Sequence, residues 1–199
     1  MLKMIARLAC RIRAIRIRIW ARARLRRNDA VILDTETTDL QGDVIQLSVI
    51  DLRGTTLLST LVRPLSPISD IAAGVHGITD ADVAGAPWMA EIAPRLQEVT
   101  SSKLVLAYNA PFDREALVRS LELAQVAPGR LAAPKHWRCL MRLRAVTENG
   151  RWTKLGGPHH ALGDCLAALQ VLRQMAGPSV GSSILQGRLP SVQTPAASS

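Results

Sequence analysis

The stretch that most constrains this chain is VILDTETTDL, at residues 31–40. Small and apolar residues from Ala30 to Leu33 predict a buried strand, and they run directly into Asp34 and Glu36. Because side chains alternate between the two faces of a strand, these two carboxylates point the same way. Their mutual repulsion is relieved by a raised pKa or by a bound divalent cation. A strand end carrying two solvated acids is the alternative.

Strand-like and helix-like patterns alternate from residue 30 onward and predict an α/β domain. The predicted strands cover residues 30–34, 43–51, 55–63 and 103–109, the second and third joined in a hairpin by the turn at 52–54. The predicted helices cover residues 87–100, 110–124 and 160–177, with a short strand passing into a helix over 135–146. Pro94 is expected to kink or break the first of these helices.

The positive charge of the chain is concentrated at one end. The formal net charge is +9, but residues 1–27 alone contribute +10 from one lysine and nine arginines, and the remaining chain sums to −1. The overall charge therefore does not indicate nucleic-acid binding by the body of the protein. Three cysteines without CxxC spacing (Cys10, Cys139 and Cys165) predict reduced thiols and a cytoplasmic compartment.

The basic segment of residues 1–28 is treated as a separate N-terminal arm. Apolar residues recur in it at helical spacing, but the stretch from Ile15 to Ile19 also alternates strictly with arginine, so helix and strand both remain open. Arginines interrupt every apolar run and exclude a membrane span. The open uses are binding to nucleic acid, binding to an anionic membrane, an organelle presequence or an overlong start-site assignment. We expect a dispensable, poorly ordered extension.

Two further acids and two adjacent histidines follow the first two acids downstream. Asp113 lies in the first turn of a predicted helix directly after a strand, in AYNAPFDRE. Asp164 follows His159 by five residues and His160 by four, in HHALGDC. On a helix, residues at such spacing can lie near one another, so a histidine and a carboxylate can share one pocket. Taken alone, each segment is equally compatible with an ordinary helix start.

Together, DTET, NAPFD and HHALGD resemble the three sequence motifs of the DEDDh, or DnaQ-like, 3′→5′ exonucleases, in the same order. VHGIT at residues 75–79 is similar to a further segment between the first two motifs, and the resemblance covers about residues 30–176. It implies a ribonuclease H-like fold, with a mixed five-stranded sheet flanked by helices. The corresponding domains are a basic arm (1–28), an exonuclease domain (29–177) and a disordered tail (178–199).

The resemblance also implies the chemistry of the site. Asp34, Glu36, Asp113 and Asp164 are expected to hold two Mg²⁺ or Mn²⁺ ions and to be catalytic. The third motif has the form H-x-A-x-x-D, which selects His159 as the catalytic general base. His160 then fills the variable position, where we expect a solvent-facing side chain.

Substrate contacts are expected from Thr37, His76, Asn109 and Phe112, near the terminal nucleotide. The implied reaction releases nucleoside 5′-monophosphates from the 3′ ends of single-stranded DNA, in proofreading or repair. The resemblance also implies a DNA polymerase as a possible partner, with this protein as one of its subunits. An RNA exonuclease of the ribonuclease T or oligoribonuclease kind, and a non-catalytic accessory module, are the alternatives. Aromatic residues make up only 3% of the chain, which does not favour a stacking platform for single strands.

Overall fold

The structure is a computed structural model that describes residues 2–148 and 150–178, with side chains from residue 8 onward. The tail predicted for residues 178–199 lies almost wholly outside the described residues.

Five strands form one sheet: β1 (Ala30–Thr37), β2 (Val44–Asp51), β3 (Thr56–Leu61), β4 (Leu104–Ala107) and β5 (Trp137–Cys139). Their order is β3-β2-β1-β4-β5. β1, β2 and β3 pair antiparallel, whereas β4 pairs parallel with β1 and with β5. The predicted mixed five-stranded sheet is confirmed.

Seven α-helices surround this sheet among the described residues: α1 (Leu2–Arg27), α2 (Asp70–His76), α3 (Asp80–Val83), α4 (Met89–Thr100), α5 (Ala110–Leu123), α6 (Leu140–Thr147) and α7 (Ala161–Ala176). The break expected at Pro94 does not occur, because α4 continues through that residue. The buried face of α4, which includes Met89, Ile92 and Leu96, holds the helix against the sheet and offsets the hydrogen bond that proline removes.

The sheet has a hydrophobic core on each face. Odd-numbered residues of β1, such as Val31 and Leu33, pack with α4 and α5, whereas Ile32 packs on the opposite face with α1, α6 and α7. The alternation of side chains along β1 produces this division. It places the even-numbered Asp34 and Glu36 on the α7 side of the sheet and Thr35 on the α5 side.

The arm forms helix α1, and the expectation of a poorly ordered extension is wrong for the described residues. Ala21 is fully buried, and Ile17, Trp20 and Leu25 pack against the core that includes α7. Arg22 donates from Nε to the carbonyl of Ala176 over 2.7 Å, at the carboxyl end of α7. This buried inner face is the physical reason why the segment is ordered. The domain boundary between residues 28 and 29 stays a prediction.

The junction after α1 adds polar contacts with the body of the protein. The side chain of Asn28 donates to Asp51 and accepts from the backbone amide of Leu52, while its carbonyl accepts from Lys103. Arg24 and Asp29 form an ion pair with an N–O distance of 3.0 Å. These contacts fix the direction of α1 relative to β1.

Within the described residues, none of the helices has the length and apolar character needed to cross a membrane.

Candidate active site

Three carboxylates meet where β1 passes the start of α7. β1 continues through Thr37, so Asp34 and Glu36 lie within the strand and not beyond its end. Asp164 lies in the first turn of α7, directly above this face of the sheet. Carboxylate oxygens of the three residues all lie within 4.8 Å of one another. The structure therefore brings these three of the predicted site residues together, and their roles stay predictions.

The electrostatic cost of this cluster is visible in its pKa values. Burial raises the pKa of Asp34 well above its ordinary value, and the charges of Asp113, Asp164 and Glu36 raise it further. Burial and the charges of Asp164 and Asp113 raise the pKa of Glu36 to about 7. Burial likewise raises the pKa of Asp164, although the nearby histidines oppose the shift. Concentrated negative charge of this kind is what a divalent cation neutralises.

The surroundings of Asp164 fit a cation ligand. Its Oδ1 atom is buried and has no hydrogen-bond partner among the described residues. The loop before α7 passes so close that a Cβ placed on Gly157 would lie 1.7 Å from this oxygen. A carboxylate oxygen that is shielded from water and left unpaired is costly unless a cation binds it. Asp34, Glu36 and Asp164 therefore have the donor chemistry and spacing for Mg²⁺ or Mn²⁺.

Asp113 approaches β1 from the opposite face of the sheet. Its Oδ1 accepts hydrogen bonds from the backbone amide and the hydroxyl of Thr35, each over 3.2 Å. Only 3% of the residue is exposed, and burial raises its pKa to about 7 although both hydrogen bonds oppose the shift. Asp113 is thus electrostatically part of the cluster, but it does not belong to the group of three converging ligands. Thr35, which sequence analysis did not single out, anchors it.

The two adjacent histidines differ in their surroundings. His159 has a left-handed backbone conformation with φ of 54° and is exposed just before α7. His160 is also exposed, as expected, but its Nε2 accepts a hydrogen bond of 3.1 Å from the side-chain amide of Gln46. The Gln46 carbonyl oxygen accepts from the backbone amide of Ala161 over 2.8 Å. Gln46 therefore fastens the histidine-bearing turn to β2, where it pairs in register with Glu36.

Gln46 was missed by sequence analysis, although a polar residue within the apolar run VIQLSVI was a signal. For the nuclease activity that the three motifs imply, we expect Gln46→Leu to lower kcat by about 10–100-fold with little change in KM, because the turn before α7 loses its fixed position. Steady-state kinetics measure this effect. The control is Gln170→Leu, an exposed position on α7 itself. Equal rates for the two variants would contradict a positioning role for Gln46.

Thr37 and His76, both predicted to contact substrate, lie together. Nε2 of His76 donates to the carbonyl of Thr37 over 3.3 Å, and its Nδ1 accepts from the amide of Ile78 over 3.0 Å. These two bonds require the neutral ring, in agreement with a pKa that burial lowers. Gly77, with φ of 74°, ends α2 directly after His76. The hydroxyl of Thr37 donates to the carbonyl of Asp39.

Asn109 directly precedes α5, and Phe112 lies in the first turn of this helix, next to Asp113 in the sequence. Asn109 is exposed, and its side chain makes no capping hydrogen bond. Phe112 is half-buried and is not part of either face's core. Phe112 is therefore not an ordinary core residue. Both side chains remain candidates for contact with a substrate.

A basic cavity lies beside this end of α5. Its volume is about 320 Å³, and its lining consists of Ala110, Pro111, Arg114, Pro134, Trp137, Cys139 and Arg142. The carboxyl ends of the parallel strands β4 and β5 meet at the same edge of the sheet as the acid cluster, so this cavity opens at that edge. Its two arginines supply local positive charge in a body that sums to −1.

The raised pKa values predict how stability depends on pH without metal. The pKa values of Glu36 and Asp113 are about 7 in the fold, against ordinary values of 4.5 and 3.8. The folded protein then binds more protons than the unfolded chain over this interval, so the free energy of unfolding falls as pH rises. With chelator, we expect a lower Tm at about pH 7.5 than at about pH 5.

Thermal denaturation with chelator and with Mg²⁺ or Mn²⁺ measures this dependence. Added cation should raise Tm most at the higher pH, because it binds the ionised carboxylates of the folded state. Glu36→Gln removes one of the titrating groups and should flatten the dependence. A Tm that stays constant or rises from about pH 5 to about pH 7.5 in chelator would contradict the prediction.

The mixed sheet and its carboxylate cluster together define a ribonuclease H-like domain with a nuclease-type site. The sequence model of the family described as Exonuclease, RNase T, matches residues 31–172. The chain therefore belongs to the RNase T exonuclease family, whose DEDDh, DnaQ-like members its three motifs resemble. The prediction of this family is confirmed.

Individual relatives agree with this assignment. The chain is 36% identical over 115 residues to Exodeoxyribonuclease 10 of Escherichia coli, covering 56% of this chain and 45% of that protein. It is 30% identical over 172 residues to an uncharacterized exonuclease of Escherichia phage 186, covering 75% of this chain and 89% of the relative. A solved structure of Exonuclease X in complex with 5′ overhanging duplex DNA superposes with a TM-score of 0.55 at 31% identity, covering 75% of this chain and 94% of that one.

Proposed function

We propose that this protein is a 3′→5′ exonuclease that releases nucleoside 5′-monophosphates from the 3′ ends of single-stranded DNA. The observation that carries the proposal is the convergence of Asp34, Glu36 and Asp164 around the unpaired, buried Oδ1 of Asp164. A site of this kind suits phosphodiester hydrolysis, in which negative charge develops on the reacting phosphate and must be neutralised.

The roles of the acids follow from their positions. Asp34, Glu36 and Asp164 would hold one cation, and Asp34 would be shared with a second that Asp113 supports directly or through water. When bound, the two ions supply Lewis-acid stabilisation of the phosphate and favour ionisation of a water. Thr35 holds the carboxylate of Asp113 in place through its amide and hydroxyl.

The bond changes balance as a hydrolysis. A water oxygen forms a bond to the phosphorus of the last phosphodiester, and the bond from that phosphorus to the 3′ oxygen of the preceding nucleotide breaks. His159 accepts the proton of the water at a ring nitrogen, and the departing 3′ oxygen takes up a proton from solvent. Gln46 holds the turn that keeps His159 beside Asp164. At this position His159 lowers the pKa of Asp164, against the effect of burial. The products are a nucleoside 5′-monophosphate and a strand with a new 3′ hydroxyl.

The substrate would reach this centre over the start of α5 and the end of β1. Thr37, His76, Asn109 and Phe112 would contact the terminal nucleotide, with Phe112 against a base or sugar. The cavity that contains Arg114 and Arg142 would receive a phosphate of the upstream strand. These two arginines would allow a body of nearly neutral charge to bind a polyanion.

DNA is the proposed substrate because Exodeoxyribonuclease 10 and the DNA complex of Exonuclease X are among the relatives that exceed 30% identity. RNA stays the alternative, since the 2′ hydroxyl is recognised by pocket shape and no described side chain is specific to it. A role in proofreading or repair, and association with a DNA polymerase, remain proposals.

The decisive experiment offers 5′-labelled single strands of DNA and of RNA with equal sequence, with Mg²⁺, with Mn²⁺ and with chelator. We expect metal-dependent shortening from the 3′ end, faster on DNA, with nucleoside 5′-monophosphates as products. A strand blocked by a 3′ phosphate serves as the control for polarity. Absence of metal-dependent shortening on both substrates would refute the proposed activity, and faster shortening of RNA would favour the alternative.

A further inference from the structure

Helix α1 has a second apolar face, opposite to the one that packs on the body. Leu8, Ile12, Ile15 and Ile19 recur four, three and four residues apart and form a single row along the helix. Their exposed fractions are 59%, 49%, 56% and 61%. The inner face, with Ile17, Trp20 and Ala21, is already covered. We call this row the outer stripe.

Arginines border the outer stripe on both sides. At about 100° per residue, Arg11 and Arg18 lie along one border and Arg16 lies along the other. All three are exposed, and residues 8–27 of α1 contain no acidic residue. The arrangement is that of a helix lying in an interface, with its aliphatic side chains in one phase and its cations at the boundary.

A cavity of about 440 Å³ opens beside one border, between α1, α6 and α7. Arg11, Ile15 and Arg18 line it from α1, and Arg144 and Glu148 line it from α6 and the residue after it. Glu148, the acid among these lining residues, forms an ion pair with Arg144 at an N–O distance of 2.7 Å. The cavity therefore offers Arg11 and Arg18 no further acidic partner among its lining residues. A phosphate group on a lipid would find positive charge and aliphatic surface side by side.

We propose that the outer stripe binds an anionic phospholipid surface. The chemistry favours this occupant over two others. A nucleic-acid backbone would pair with the arginines, but it would leave the four aliphatic side chains of the stripe in water. A second copy of the chain would cover the aliphatic row, but it would bring two arginine borders together with no acids to neutralise them. The lipid surface satisfies both features, because its head groups meet the cations and its acyl chains meet the row.

The proposal goes beyond the proposed nuclease function and is tested without measuring activity. The full chain is sedimented with vesicles of phosphatidylcholine containing about 30 mol% phosphatidylglycerol, and with vesicles of phosphatidylcholine alone. We expect binding to the first that weakens as salt is added, and little binding to the second. The double variant Ile12→Gln, Ile15→Gln should bind the anionic vesicles at least about tenfold more weakly.

The matched control is Ile71→Gln, Leu123→Gln, which removes two aliphatic side chains elsewhere that are at least half exposed. It should bind as the unmodified chain does, and circular dichroism checks that both variants are folded. Equal vesicle binding by the outer-stripe variant and the unmodified chain would overturn the proposal. So would a loss of affinity for single-stranded DNA with vesicle binding unchanged, or a dimer that only the outer-stripe variant abolishes.

Discussion

Asp34→Asn is expected to lower the rate of strand shortening by roughly 10³-fold or more, because Asp34 is the proposed ligand of both cations and its loss would remove several kcal/mol of transition-state stabilisation. Burial raises the pKa of Asp34 well above its ordinary value, and the charges of Asp113, Asp164 and Glu36 raise it further. Single-turnover assays with saturating Mg²⁺ measure the rate. A residual rate within about tenfold of the unmodified protein would contradict the assigned role.

The same substitution should not weaken the fold. In the absence of metal, an amide at position 34 removes a negative charge from a crowded, desolvated site. We expect Tm in chelator at about pH 8 to rise by about 2–4 °C, the shift that ~1 kcal/mol produces in a chain of this length. Glu122→Gln, an exposed acid-to-amide change on α5, is the matched control and should alter neither rate nor Tm. Loss of activity together with a fall in Tm would indicate a structural role for Asp34.

His159→Gln is the second substitution with a large expected effect. We expect the rate to fall by about 10²–10⁴-fold, the usual contribution of a general base, because a glutamine in place of the proposed base cannot accept the proton of the attacking water. Mg²⁺ should still raise Tm in this variant, since Asp34, Glu36 and Asp164 keep their oxygens. A cation-dependent rise in Tm that persists while activity is lost separates the loss of catalysis from a loss of metal binding.

His160→Gln is the matched comparison at the adjacent position. The ring of His160 accepts a hydrogen bond from Gln46, and a glutamine at 160 offers a side-chain oxygen that can accept the same bond. We therefore expect a loss of less than about tenfold. If His160→Gln caused the larger loss and His159→Gln the smaller, the assignment of the general base would have to be exchanged.

Much of this protein could be read from local patterns. The alternation along VILDTET predicted both the strand and the common face of Asp34 and Glu36, and strand geometry guarantees that result wherever the strand packs. The spacing of apolar residues and turn signals likewise predicted the hairpin and the two helices that carry Asp113 and Asp164. The order of the three motifs was enough to indicate the family and hence the mixed sheet.

Other features depended on contacts between distant segments. Nothing near Gln46 in the sequence indicates that its amide holds the turn before α7, a contact across more than a hundred residues. The role of Thr35 as the anchor of Asp113 and the close approach of Gly157 to Asp164 are of the same kind. Such contacts arise only when the sheet and its helices are assembled, because they join groups whose separation along the chain is unrelated to their separation in space.

The arm shows the same division most clearly. Its sequence determined a positive charge of ten and an apolar periodicity compatible with two kinds of secondary structure. Only the tertiary structure decided that it is a helix with Ala21 against α7 and with Ile12 and Ile15 facing outward. The physical reason is that a helix with two apolar faces can bury either one. The shape and hydrogen-bonding groups of the surface it meets, here the carboxyl end of α7, select which face is covered.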